Sequence, residues 1–159
     1  MMKLAEALTE RKALQEKLAR LRARLAANAR VQDGDQPAER PADLLAEVAE
    51  TTAALETLIV RINRTNLTAT LADEPRLTLM EAVARRDMLK LRFTALSELI
   101  GAAAPGAAGR YFAVTRSEIK QRATVDVAEL QKDLDALARQ VRELDGRLQA
   151  ANWAVDLLD

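Results

Sequence analysis

The stretch DVAELQKDLDALARQVRELDGRLQAANWAVDLLD, residues 126–159, decides the fold. Asp126 is placed to cap a helix, Glu129 completes a capping box three residues on, and Val125 with Leu130 makes a hydrophobic staple across the start. Leu130, Leu134, Leu137, Val141, Leu144, Leu148, Ala151, Val155 and Leu158 then recur at alternating spacings of four and three. That rhythm keeps one apolar seam on a helix and, held over several heptads, implies left-handed supercoiling. The spacing predicts a helix over about 126–158, a rod of about 45 Å at 1.5 Å per residue.

The same grammar predicts three more helices, at about 3–29, 41–72 and 78–101. In the first, Leu14, Leu18, Leu21, Leu25 and Asn28 form the seam. Leu4, Leu8 and Arg11 precede it one step out of phase, which reads as a stammer or a change of packing partner. Asp33-Gly34-Asp35-Gln36-Pro37 ends the pattern as a loop. Pro41 suits the first position of the second helix and Asp43 its positive end. Its stripe reads Leu45, Val48, Thr52, Leu55, Ile59, Ile62, Asn66 and Ala69, and Pro75 forbids continuation. Thr78 and Glu81 form a capping box for the third helix, whose apolar positions are Leu79, Val83, Leu89, Phe93, Leu96 and Ile100. Tyr111, Phe112, Val114, Ile119 and Val125 bring β-formers into residues 110–125 and predict a small β-hairpin turning near Arg116-Ser117. The expected fold is mainly all-α: one helical domain over 1–159, four long helices as antiparallel hairpins in a bundle with coiled-coil character, and a small β-hairpin before the last helix.

Composition excludes much chemistry. The 159 residues include no Cys and no His, so disulfides, thiolate or imidazole metal sites and His-based triads are out of reach. The 24 basic and 24 acidic residues cancel, leaving no global field toward nucleic acid. Gly106-Ala107-Ala108-Gly109 lacks the Lys-Ser/Thr of a phosphate loop. The basic strings Arg20-Leu21-Arg22-Ala23-Arg24 and Arg85-Arg86 have acids nearby and no aromatic row for stacking bases. The charged start, Lys3 to Lys12, is unlike a signal peptide, and no window approaches the ~20 apolar residues of a spanning helix, so a cytoplasmic protein is expected. The rods are long, the seams narrow and the aromatics few, which favours burial against other copies of the chain.

Candidate site residues are the polar side chains on or beside the apolar stripes: Glu6, Arg11, Asn63, Asn66, Arg86, Asp87 and Asn152. One reading is a structural network, in which a seam Asn fixes register and an Arg–Asp pair satisfies its donors. In this reading helices two and three meet through Asn63, Asn66, Arg86 and Asp87. The other is a small polar pocket between helices holding an ion or ligand. A metal there would need oxygen ligands such as Glu6, Glu10 and Glu81, in no recognisable spacing, so neither a metal nor a cofactor is expected. No catalytic constellation is visible.

Six strings carry a family resemblance: Lys3-Leu4-Ala5-Glu6-Ala7-Leu8 with Glu10-Arg11, Asn28 through Asp35, Arg61-Ile62-Asn63-Arg64-Thr65-Asn66, Ala84-Arg85-Arg86-Asp87, Arg116-Ser117-Glu118-Ile119-Lys120 and Asn152-Trp153. In that order, over nearly the whole chain, they resemble a bacterial family of helical proteins often labelled septicolysin, a name implying a pore-forming cytolysin. The resemblance implies a helical bundle with a small β-hairpin and a homo-oligomer, a hexamer among the forms it admits, and brings no established reaction. The sequence itself opposes the toxin label. No helix is apolar all round, and Arg110, Arg116, Glu118, Lys120 and Arg122 make a poor lipid-facing hairpin. The expected function is a non-enzymatic, homo-oligomeric bundle with a structural or interaction role. The alternatives are a pore-forming cytolysin, which alone would engage a membrane, and a ligand- or ion-binding protein using the polar cluster. No nucleic acid partner is expected.

Overall fold

The computed structural model describes residues 1–104 and 122–159. In chain order it contains α1 (Leu4–Ala27), α2 (Pro41–Thr68), β1 (Thr70–Leu71), β2 (Glu74–Thr78), α3 (Leu79–Ala103) and α4 (Val127–Ala154). The fold is thus mainly all-α, with one small antiparallel sheet among the described residues. The chain divides into two compact units, residues 1–80 with 149–159, and residues 81–148.

The first unit is built on α1 packed against α2. Both helices carry one unbroken heptad seam. On α1 it reads Leu4, Ala7, Arg11, Leu14, Leu18, Leu21, Leu25 and Asn28, all buried or half-buried. Ala7 stands where the stammer reading put Leu8, so the phase never breaks. On α2 the seam is Leu44, Val48, Thr51, Leu55, Leu58, Ile62 and Thr65. The expected stripe was one residue off at every second position. Leu45 is 57% exposed whereas Leu44 is 2% exposed. Both choices satisfy a 3-4 rhythm, and apolar residues at 44, 45, 58 and 59 leave the phase undecided in the sequence.

Asn28 closes the far end of α1. Its side-chain amide donates to the Arg24 carbonyl at 3.0 Å and its oxygen accepts the Glu39 N–H at 3.0 Å. Gly34 takes φ +90° in the connecting loop, a conformation that glycine reaches without the clash of a Cβ. Arg24 holds Glu39 through two hydrogen bonds and lies 3.8 Å from Glu47, tying the loop and the first turns of α2 to α1.

The expected helix to residue 72 stops at Thr68. Thr70 and Thr78, then Leu71 and Glu74, pair antiparallel with an irregular step between them. Pro75 is accommodated because a two-stranded ribbon leaves edge positions that need no N–H donor. Thr78, expected as a helix cap, is the last strand residue, and the Leu79 N–H reaches back 2.8 Å to the Ala69 carbonyl. Leu71, Leu77 and Leu79 are buried. The hairpin expected at 110–125 lies largely outside the described residues, and its last four residues, 122–125, are irregular.

The second unit is an α3–α4 hairpin. Asp126 caps α4 as its sequence requires, Oδ1 accepting the Ala128 and Glu129 N–H groups at 3.0 and 3.1 Å. Leu137, Leu144 and Leu148 are buried, and Leu130, Leu134 and Val141 half-buried. The α3 residues facing inward are Ala82, Arg86, Leu89, Phe93, Leu96 and Ile100, of which only Ala82 is fully buried. The last turn of α4, already in the first unit, departs from the expected seam. The helix ends at Ala154, and Lys3 pairs with Asp156 as an isolated antiparallel bridge. Extended backbone alternates its side chains, so Leu157 is buried and Leu158 exposed, the reverse of the helical expectation.

Candidate functional site

The polar residues singled out by the sequence fall in both units: Glu6, Arg11, Asn63, Asn66 and Asn152 in the first, Arg86 and Asp87 in the second. Glu6 is taken up by its own helix, its carboxylate accepting the Lys3 N–H at 2.7 Å. Arg11 does lie on the α1 seam, half-buried, with its Nε shielded from water and unpartnered. Asn63 is exposed and Asn66 half-buried, because the seam passes through Ile62 and Thr65 instead. Asn152 is half-buried beside the exposed Trp153. Arg86 finds its partners within the second unit. Nε and Nη2 donate to the Asp87 carboxylate at 2.9 and 2.7 Å, and Nη1 lies 3.7 Å from Asp145. Lys90 reaches the same Asp145 at 3.2 Å, so one α4 carboxylate gathers two α3 cations.

Sequence reading missed the threonines. Thr65 is fully buried; its hydroxyl donates to the Arg61 carbonyl at 2.8 Å and accepts the Leu158 N–H at 3.0 Å. Thr51, two heptads earlier on the same seam, is 3% exposed, and its hydroxyl has no partner. The signal was the 14-residue spacing of two threonines in phase with Leu44 and Leu58, visible once the seam is drawn through them.

A second missed set clasps the end of the chain. Lys3 Nζ contacts the Asp156 carboxylate at 2.8 Å and donates to the Ala154 carbonyl at 3.1 Å. The Leu4 N–H binds the Val155 carbonyl at 3.0 Å, and the Leu157 N–H the Met2 carbonyl at 2.9 Å. Arg61 donates to the Leu158 carbonyl at 2.9 Å and to the Asp159 carboxylate at 2.8 Å, while Arg64 reaches the Asp159 carbonyl at 3.1 Å. Each partner lies far away in sequence, where periodicity carries no information.

The electrostatics of these clusters are structural. A hydrogen bond from Lys3, aided by its charge and that of the N-terminus, holds the Asp156 carboxyl below the usual carboxylate range. A hydrogen bond from Arg24, with its charge, does the same for Glu39. Both groups are ion-paired on the surface. Neither is tuned toward neutrality as a general acid or base would be. Among the described residues no three or more Asp or Glu side chains gather as metal ligands, and no helix is long and apolar enough to cross a membrane.

A groove of about 570 Å³ lies between α3 and α4, lined by Arg92, Ala95, Leu96 and Leu99 on one side and Asp133, Ala136, Leu137 and Gln140 on the other. It is half apolar and carries one cation and one anion.

Comparison places the chain among relatives. It is similar to a functionally unknown conserved protein from Corynebacterium diphtheriae, whose crystal structure matches with a TM-score of 0.87 at 38% sequence identity over 99% of both chains. No curated protein matches it. Residues 11–157 match the family described as a family of unknown function (DUF6847). That match reaches both units and covers most of α1 and all of α2, α3 and α4, and the chain belongs to this family.

Proposed function

We propose that the protein is a non-enzymatic, homo-oligomeric helical-bundle protein with a structural or interaction role. One observation carries this reading. Met88, Leu91 and Leu99 of α3 are 54%, 62% and 43% exposed. A stripe of large apolar side chains on one helix face is what a soluble chain normally covers with a partner. The displaced titration of Glu39 and Asp156 is accounted for by ion pairs that hold the fold, which is in keeping with a structural role for both.

Light scattering at micromolar concentration tests the reading. The expected mass is a multiple of 17.5 kDa. A mass equal to one chain overturns it. The same preparation, added to anionic or zwitterionic vesicles at neutral pH, should release no dye. Arg85 and Arg92 flank the α3 stripe on one side and Asp87 on the other, charges that a lipid-facing surface excludes. Leakage at low protein-to-lipid ratio would instead support a pore-forming cytolysin.

A further inference from the structure

The groove between α3 and α4 has the chemistry of a surface that recognises itself. Its floor is small and apolar, Ala95 and Leu99 from α3 facing Ala136 and Leu137 from α4. At 3.6 residues per turn, Met88, Leu91, Ala95 and Leu99 fall within an arc of about 80°, so the exposed stripe of α3 runs into the groove's edge. The inward residues Ala82, Leu89, Phe93, Leu96 and Ile100 occupy a separate arc of about the same width. α3 therefore carries two apolar faces and α4 covers one. A two-helix hairpin with a second bare seam is half of an antiparallel four-helix bundle.

The charges say which occupant fits. Arg92 and Asp133 stand at the two ends of the groove, and neither is ion-paired among the described residues. Arg92 to Leu99 and Asp133 to Gln140 are both steps of seven residues, about 10 Å along each rod. A two-fold axis crossing the groove at its midpoint, perpendicular to the rods, reverses both helices. It brings the Arg92 of one copy level with the Asp133 of the other, twice over. Isologous interfaces require such self-complementarity: each patch supplies what its own image needs. A nucleic acid would meet Asp133, and an acidic or basic peptide would leave one of the two charges opposed.

We infer that the α3–α4 groove, with the Met88–Leu91–Leu99 stripe beside it, is the docking surface for a second copy of this chain, set across a two-fold axis by reciprocal Arg92–Asp133 pairs. This rests on the homo-oligomeric reading above and adds the interface to it.

Charge reversal and cross-linking test it on the full chain. Arg92→Asp and Asp133→Arg should each raise the dimer dissociation constant about tenfold or more, measured by sedimentation, and the double reversal should restore it to within about threefold. Far-ultraviolet dichroism confirms that each variant folds. The chain has no native Cys, so introduced cysteines report cleanly. A mixture of the Arg92→Cys and Asp133→Cys proteins should yield an oxidised dimer of two different chains, and either protein alone should not. If the wild type is oligomeric but neither reversal nor the cysteine mixture has an effect, this interface is wrong while the oligomeric reading stands. If the wild type is monomeric throughout, both fall.

Discussion

The two helical hairpins use the same heptad grammar and differ in what they bury. In the first unit, α1 and α2 each devote one face to the seam, and Leu4, Leu21, Leu44, Leu58 and Ile62 are all buried. Strands β1 and β2 and the chain end close over it, with Lys3, Arg61 and Arg64 fastening residues 154–159. In the second unit, α4 buries Leu137 and Leu144, yet on α3 Leu89, Phe93, Leu96 and Ile100 are only half-buried and Met88, Leu91 and Leu99 are exposed. Apolar content is not what separates them. A hairpin whose flanks are covered by its own chain completes a core. One whose second apolar face stays bare leaves a surface for the second copy proposed above.

The largest expected effects sharpen that contrast at its centres. Ile62→Ala removes a fully buried side chain from the closed unit and should cost about 2–5 kcal/mol in chemical denaturation, as should Leu144→Ala on α4. Leu91→Ala removes as many atoms from a 62% exposed position and should cost well under about 1 kcal/mol in the isolated chain. If the proposed dimer forms, its effect belongs in the association constant instead. A Leu91→Ala loss as large as that of Ile62→Ala would dissolve the distinction between the two hairpins.

Next come two threonines that share a seam and differ only in their partners. Thr65→Val keeps shape but deletes the acceptor of the Leu158 N–H, leaving a shielded donor unmet, and should cost about 1–3 kcal/mol. Thr51→Val deletes a buried hydroxyl that has no partner, so it should stabilise the protein, by about 1 kcal/mol. Opposite signs from one substitution type, read as shifts in denaturation midpoint, would establish that the seam is dry at Thr51 and wired to the chain end at Thr65. Loss of stability at both would mean that the Thr51 hydroxyl has a partner in solution.

These threonines also show where the sequence was legible. Element type followed from periodicity: all four helices lie where the 3-4 rhythm put them, and Asp126 caps α4 as its sequence implies. Phase did not, because Leu44-Leu45 and Leu58-Ile59 offer equal apolar residues at adjacent positions and only the packed partner chooses between them. The polar residues suffered most from that ambiguity. Asn66 looked like a seam residue only while Leu45 did, and Thr65 was passed over for the same reason. The strand pair was hidden by Pro75 and by a plausible capping box at Thr78 and Glu81, local signals that the pairing of Thr70 with Thr78 overrides. Lys3 with Asp156, and Arg86 with Asp145, join residues far apart in sequence, which no single-helix pattern can announce.

The smallest effect concerns how the closed unit stays closed. Lys3 depresses the Asp156 carboxyl, and Arg24 depresses that of Glu39. A carboxylate whose folded-state pKa lies below its unfolded value binds fewer protons folded than unfolded, so folding is favoured wherever it is ionised. That contribution is present in full above the ordinary carboxylate range near pH 4, and is lost as pH falls through the depressed folded value. Both pairs are open to water, so solvent and salt screen them and the loss is gradual. Asp156→Asn should therefore lower the neutral plateau slightly, leave the acid end unchanged and so flatten the limb between them, and added salt should erode the difference between the two proteins. The second unit supplies the control. Asp145 holds Arg86 and Lys90 across α3 and α4 at 3.7 and 3.2 Å, longer contacts than the 2.8 Å between Lys3 and Asp156, so Asp145→Asn should change the acid limb less than Asp156→Asn. An acid limb indifferent to Asp156→Asn but sensitive to Asp145→Asn would reverse the comparison, making the α3–α4 hairpin the one that charge holds together.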